Sequence, residues 1–181
     1  MHHMRLGARH FVWMLGAIAL GGCVTLPTTP PPPANELITY ETMPGPFCGR
    51  CDTMKFAAAS DGRVWVERGH WESSYSDWQV ERYEVVRSPA EYAQFRVLIA
   101  PYRPPGELTL DDPSPQCSSF MTDLGEVAVT WRGGGTDAYL RYNYGCDPEK
   151  RAAMAEVLRS APSILRIDLI WTAPLATSRA R

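Results

Sequence analysis

Pro46-Phe47-Cys48-Gly49-Arg50-Cys51-Asp52-Thr53-Met54-Lys55-Phe56-Ala57-Ala58-Ala59-Ser60-Asp61-Gly62 is the stretch on which the fold turns. Its alanines invite a helix, but the segment between Cys51 and Asp61 is short for a helix and ordinary for a strand. Met54, Phe56 and Ala58 alternate with Thr53, Lys55 and Ala57, the two-residue period of a half-buried strand. Ser60-Asp61-Gly62 then offers the positive-φ residue of a tight hairpin, and Arg63-Val64-Trp65-Val66-Glu67 resumes in β.

Working outward, Leu37 to Thr42 and Gln79 to Val86 read as flanking strands, the first closed by Pro44-Gly45-Pro46. Ser88, Pro89 and Glu91 form a helix start: an N-cap serine, proline at the first helical position and a capping-box glutamate. Tyr92, Phe95, Leu98 and Ile99 give that helix one apolar face, and Pro101 ends it. Tyr102 to Asp123, rich in Pro, Asp and Ser, reads as a long loop.

Glu126 to Trp131 and Ala138 to Tyr144 read as a hairpin joined by Gly133-Gly134-Gly135-Thr136-Asp137. The glycines lack the Lys-Ser/Thr ending of a phosphate loop. Asp147-Pro148 begins a second helix stopped by Pro162. In Leu165 to Trp171, Leu165, Ile167, Leu169 and Trp171 alternate with Arg166 and Asp168, which predicts a last strand, although Ile164, Ile167 and Trp171 also fit a helix. The expectation is one α+β domain over 36–171: a mostly antiparallel sheet, about two helices packed on one face, and disulfide bonds.

Ahead of it, Arg5 and Arg9 precede an apolar run from Phe11 to Leu20, too short to span a bilayer, and Leu20-Gly21-Gly22-Cys23 follows. The pattern reads as a signal peptide over 1–22. Its ending resembles the bacterial lipobox, and the resemblance implies that Cys23 is diacylated and anchored in a membrane. Val24 rather than Asp after it points to the outer membrane, facing the periplasm. Residues 23–35, with Pro30 to Pro33 in series, read as a polyproline stalk, and 172–181 as a flexible tail. Without 1–22, sixteen basic residues face twenty acidic ones. That balance offers no polybasic surface, so nucleic acid is not expected as a partner and anchoring falls to the acyl chains.

The order of these elements, with a Gly-containing cysteine pair and a late Gly-Cys, resembles a bacterial envelope family catalogued as domain of unknown function 6438. That family's box reads Cys-Phe-Gly-x-Cys-Pro-x-Tyr; here it is Phe47-Cys48-Gly49-Arg50-Cys51-Asp52-Thr53-Met54. The resemblance implies an envelope location over about Leu37 to Trp171 and brings no activity with it.

With Cys23 lipidated, Cys48, Cys51, Cys117 and Cys146 remain, an even count that favours disulfides outside the cytosol. Cys117 before one hairpin strand and Cys146 after the other lie toward the same open end, so the expected pairs are Cys117–Cys146 and Cys48–Cys51. Two other readings use the same residues. Cys48-Gly49-Arg50-Cys51 resembles the thioredoxin-type box, which would make the protein a periplasmic thiol-disulfide oxidoreductase if Cys48 stood at a helix N-terminus. A four-cysteine zinc site fits less well, since Cys117 and Cys146 are far apart in sequence.

His70 is the only histidine beyond the signal and reads as a solvated loop residue. Trp65, Trp71, Tyr75, Trp78 and Tyr83 crowd one region. Core and strand packing is the commoner reason for such residues, and the polar stretch from Gly69 to Asp77, bearing His70, Trp71 and Tyr75 and running into Trp78, is the candidate ligand loop for a glycan or an envelope protein. No metal or cofactor is expected, and a binding or structural role is favoured over catalysis.

Overall fold

Gly62 turns the chain back as the Asp-Gly signal requires: its φ is +91°, and a Cβ there would lie 2.1 Å from the Arg87 carbonyl oxygen. The computed structural model describes residues 35–46, 48, 52–71 and 77–172. The expected signal peptide, Cys23, all of the expected stalk but Asn35, Cys51, Tyr75 and the expected tail beyond Thr172 lie outside the described residues.

Four strands come first: β1 (Leu37–Met43), β2 (Thr53–Ala59), β3 (Arg63–Trp71) and β4 (Trp78–Val86). After helix α1 (Pro89–Ile99) come β5 (Glu107–Leu110), β6 (Glu126–Arg132) and β7 (Ala138–Asn143), then α2 (Ala152–Ile164) and α3 (Ile167–Thr172). The strands form one sheet in the order β4-β3-β2-β1-β6-β7-β5, antiparallel except where β5 runs parallel to β7. β1 is central, pairing with β2 on one side and β6 on the other.

Alternation decides the layers. Tyr40, Phe56, Val66, Val129 and Leu140 sit side by side in register and are buried, while their chain neighbours Glu41, Lys55 and Glu67 face away. The helices cover the apolar side. Phe95 of α1 packs against Phe56, which stacks on Tyr40 with ring centroids 5.1 Å apart. The capping box of α1 forms as the sequence predicts, Ser88 Oγ accepting from the Glu91 amide and the Glu91 carboxylate accepting from the Ser88 amide.

Three expectations are corrected. The segment 102–123 is not all loop, because Leu108 and Leu110 alternate with Glu107 and Thr109 and add a four-residue edge strand to β7. The predicted last strand is helix α3. Arg166 takes a left-handed conformation (φ 52°), which breaks α2 and lets Ile167 to Thr172 coil again. The second helix begins at Ala152 rather than at Asp147-Pro148 and runs through Pro162 to Ile164. Pro162 lacks the N–H that would bond the Leu158 carbonyl, and the buried Tyr40 hydroxyl donates to that oxygen instead. Burial holds the Tyr40 phenol far above its usual range, so it stays a donor.

Two polar clusters pin the ends of the sheet. Glu36, its side chain fully buried, accepts from Arg96 (2.6 Å), Arg103 (2.9 Å) and the Tyr92 hydroxyl (3.1 Å). Asp147 follows the expected Cys117–Cys146 disulfide, which forms. Its Oδ1 accepts from both the amide and the hydroxyl of Ser118 and of Ser119. The Ser118 hydroxyl and these other donors hold its carboxyl well below the usual range.

Candidate functional site

Strand register gathers most of the candidate residues at one end of the sheet. Trp71 pairs with Trp78, Gly69 with Thr53, Thr42 with Met54, and Met43 with Glu126. The segment joining β1 to β2, which carries Cys48, lies at that same end. The expected ligand loop is strand at its start, since β3 extends through Gly69 and His70 to Trp71, and β4 begins at Trp78; residues 72–76 lie outside the described residues.

On the helix-free face, Trp71 and Trp78 meet edge to face with centroids 4.9 Å apart. The indole of Trp78 occupies the space of a Cβ at position 69, since such an atom would lie 2.2 Å from its Cζ2. Glycine usually weakens a strand, and here it admits a ring against the backbone. The rest of that ring reaches solvent, Trp78 being 38% exposed. Two and four residues back from Gly69 along β3, Glu67 pairs with Arg82 of β4 at 2.8 Å, and Trp65, 37% exposed, lies under the Arg63 guanidinium at 5.3 Å.

The opposite face of the same strand end corrects the histidine. His70 is not a solvated loop residue: it lies within β3, 5% exposed, on the side of Val64 and Val66. Its Nδ1 has no hydrogen-bond partner among the described residues. Arg68, on the same side and 7% exposed, donates from Nη1 to the Ile170 carbonyl (3.3 Å) and from Nη2 to Asp52 (3.4 Å). Its guanidinium carbon stands 6.0 Å from the Trp171 ring. A buried arginine is tolerated when paired and hydrogen-bonded in this way.

Asp52 and Trp171 also wall a cavity of about 480 Å³ between the sheet end, the turns at 44–45 and 124–125, and helices α2 and α3. Tyr40, Met54 and Pro162 are its buried lining, and Arg159, Ser163 and Asp168 are exposed at its mouth. Arg159 lies over the Tyr144 ring at 4.2 Å. Nothing local in the sequence marks this cavity, because its walls come from six separated segments.

Cys48 is disulfide-bonded, and Cys51 lies outside the described residues. β2 begins at Thr53, so the chain after the cysteine box enters a strand and not the helix that thiolate chemistry needs. Cys117 and Cys146 are spent on their own disulfide, which removes the four-thiolate zinc reading. Among the described residues no cluster of three His, Cys, Asp or Glu side chains could hold a metal ion.

Compared with known proteins, the chain matches no family model and no curated protein sequence. No helix among the described residues is long and apolar enough to cross a membrane.

Proposed function

We propose that the chain is a bacterial envelope lipoprotein, anchored through acyl chains on Cys23 at the outer membrane and facing the periplasm, whose domain works by binding a glycan. The Leu-Gly-Gly-Cys ending, the proline stalk and the likeness in element order to domain of unknown function 6438 support the address. So does the Cys117–Cys146 disulfide, a bond that persists in oxidising compartments.

The observation that carries the binding reading is Trp78 seated on Gly69. An indole held against backbone and still 38% exposed loses little side-chain freedom when an apolar ring face stacks on its exposed part. Arg82 and Glu67 on the same face, 2.8 Å apart, supply donors and acceptors for hydroxyl groups. Together these match the mixed apolar and polar surface of a sugar ring.

Two measurements test the proposal. Cys23→Ser should release the protein from the membrane fraction; continued sedimentation with membranes would sink the anchor. The wild-type chain should co-sediment with purified peptidoglycan and Trp78→Ala should not. Equal retention of both would reject the site. The thiol-disulfide oxidoreductase reading has no comparable support, since the box leads into β2. Insulin reduction above the level of a Cys48→Ser control would reinstate it.

A further inference from the structure

The cavity beside α2 is independent of the tryptophan face, and its lining specifies a ligand chemistry. Met43, Pro44, Met54, Leu124, Pro162 and Trp171 give it apolar walls, and its volume of about 480 Å³ falls within the range of small-molecule sites. Four ionic side chains line it, and their pairing separates them. Asp52 is bound to Arg68 at 3.4 Å, and Glu126 holds Arg141 through two hydrogen bonds of 2.7 and 2.8 Å. Asp168 stands in the first turn of α3, where free backbone N–H groups favour a carboxylate. Neither Asp168 nor Arg159 has an ion pair or side-chain hydrogen bond among the described residues, and Arg159 is the one cation of the four. Its guanidinium is fixed on the Tyr144 ring, so its donor edge is oriented without being used.

We infer that this cavity binds an amphipathic carboxylate, its apolar body between the methionines and prolines and its acid group at the mouth on Arg159. An exposed cation at the rim of an apolar pocket keeps the acid in contact with water while the tail is buried. That arrangement suits a ligand delivered from a membrane or micelle.

The test uses the full-length chain carrying Cys23→Ser, so that no acyl anchor competes for the probe. Dansylaminoundecanoic acid and its neutral carboxamide are titrated by fluorescence against this protein and against the same chain with Arg159→Gln. Saturable binding of both probes is expected. The substitution should weaken the acid by roughly tenfold to a hundredfold, the range for a hydrogen bond to a charged group, and the carboxamide by less than about twofold. Arg159→Lys should recover part of the loss. Leu124→Trp, which fills the cavity from a loop, should abolish binding of both probes while circular dichroism stays unchanged. Equal weakening of acid and carboxamide by Arg159→Gln overturns the inference, as does retention of both probes by Leu124→Trp. It is also overturned by absence of saturable binding, or by displacement that is better with dodecyltrimethylammonium than with dodecanoate.

Discussion

Tyr40 and Pro162 make a pair whose energetics are open to direct measurement. Pro162 removes the amide that would close the α2 hydrogen bond to the Leu158 carbonyl, and the Tyr40 hydroxyl, from the central strand, takes its place. Leu158 is fully buried and does not line the cavity, so its carbonyl loses its partner away from bulk water if the hydroxyl is removed. Tyr40→Phe keeps the ring and its stacking on Phe56 and deletes the hydroxyl, which also meets the Tyr144 hydroxyl; the cycle with Pro162 isolates the Leu158 bond. The lost bond and the stranded carbonyl together should cost about 2 kcal/mol, within the 1–3 kcal/mol range for a buried unsatisfied group. That corresponds to a fall in Tm of roughly 5–10 °C for a domain of this size. In a Pro162→Ala background the helix supplies its own amide to Leu158, so Tyr40→Phe should then cost less than about 1 kcal/mol. Urea unfolding of the wild type, both single variants and the double variant closes the cycle. A coupling energy near zero would refute the view that the hydroxyl is what lets α2 run through its proline.

Asp147 should make the fold acid-sensitive. Its folded pKa is depressed relative to an unfolded value of about 3.9, so its contribution is present above that pH and is lost as pH falls toward the folded value. Asp147→Asn should lower the urea midpoint at pH 7, and the two proteins should converge in strong acid; a constant gap would exclude this role. Glu36→Gln leaves Arg96 and Arg103 without their buried counter-charge and should cost about 3 kcal/mol. That is the low end for a broken buried pair, because the two arginine side chains remain 25% and 24% exposed. Chemical denaturation measures it, and a loss under about 1 kcal/mol would show that water replaces the carboxylate. Gly69→Ala should push Trp78 off the backbone, costing about 1–3 kcal/mol by overpacking and changing the near-ultraviolet dichroism. An unchanged spectrum with equal or higher stability would contradict the packing described.

Features written in local pattern were legible from the sequence. The alternation around Phe56, the Asp-Gly turn, the Ser88 capping box and the Cys117–Cys146 pairing each depend on residues near in sequence or on one hairpin. The misreadings share a different cause. Pro162 ends an isolated helix, and only Tyr40, more than a hundred residues earlier, changes that. Leu108 and Leu110 were masked by the prolines around them and needed the edge of β7 to become a strand. His70 keeps the inward parity of Val64 and Val66, but Gly69 interrupts the pattern just before it, and the close approach of Trp78 is the reason for that glycine. The cavity was invisible because no segment contains more than a fragment of its wall.

The position of β1 also sets the order in which the chain becomes safe. β1 to β4 form a meander of neighbouring strands, completed by residue 86, whereas the other edge of β1 waits for β6, about 80–95 residues further along. A chain emerging from its N-terminus therefore carries Leu37 to Met43 for some time with one row of N–H and C=O groups unpaired, in the middle of what will be the sheet. Such an edge is a template for pairing with another chain. Its late closure makes the β1–β6 seam the step at which folding and aggregation compete, and places the burden of solubility during synthesis on whatever holds that strand apart.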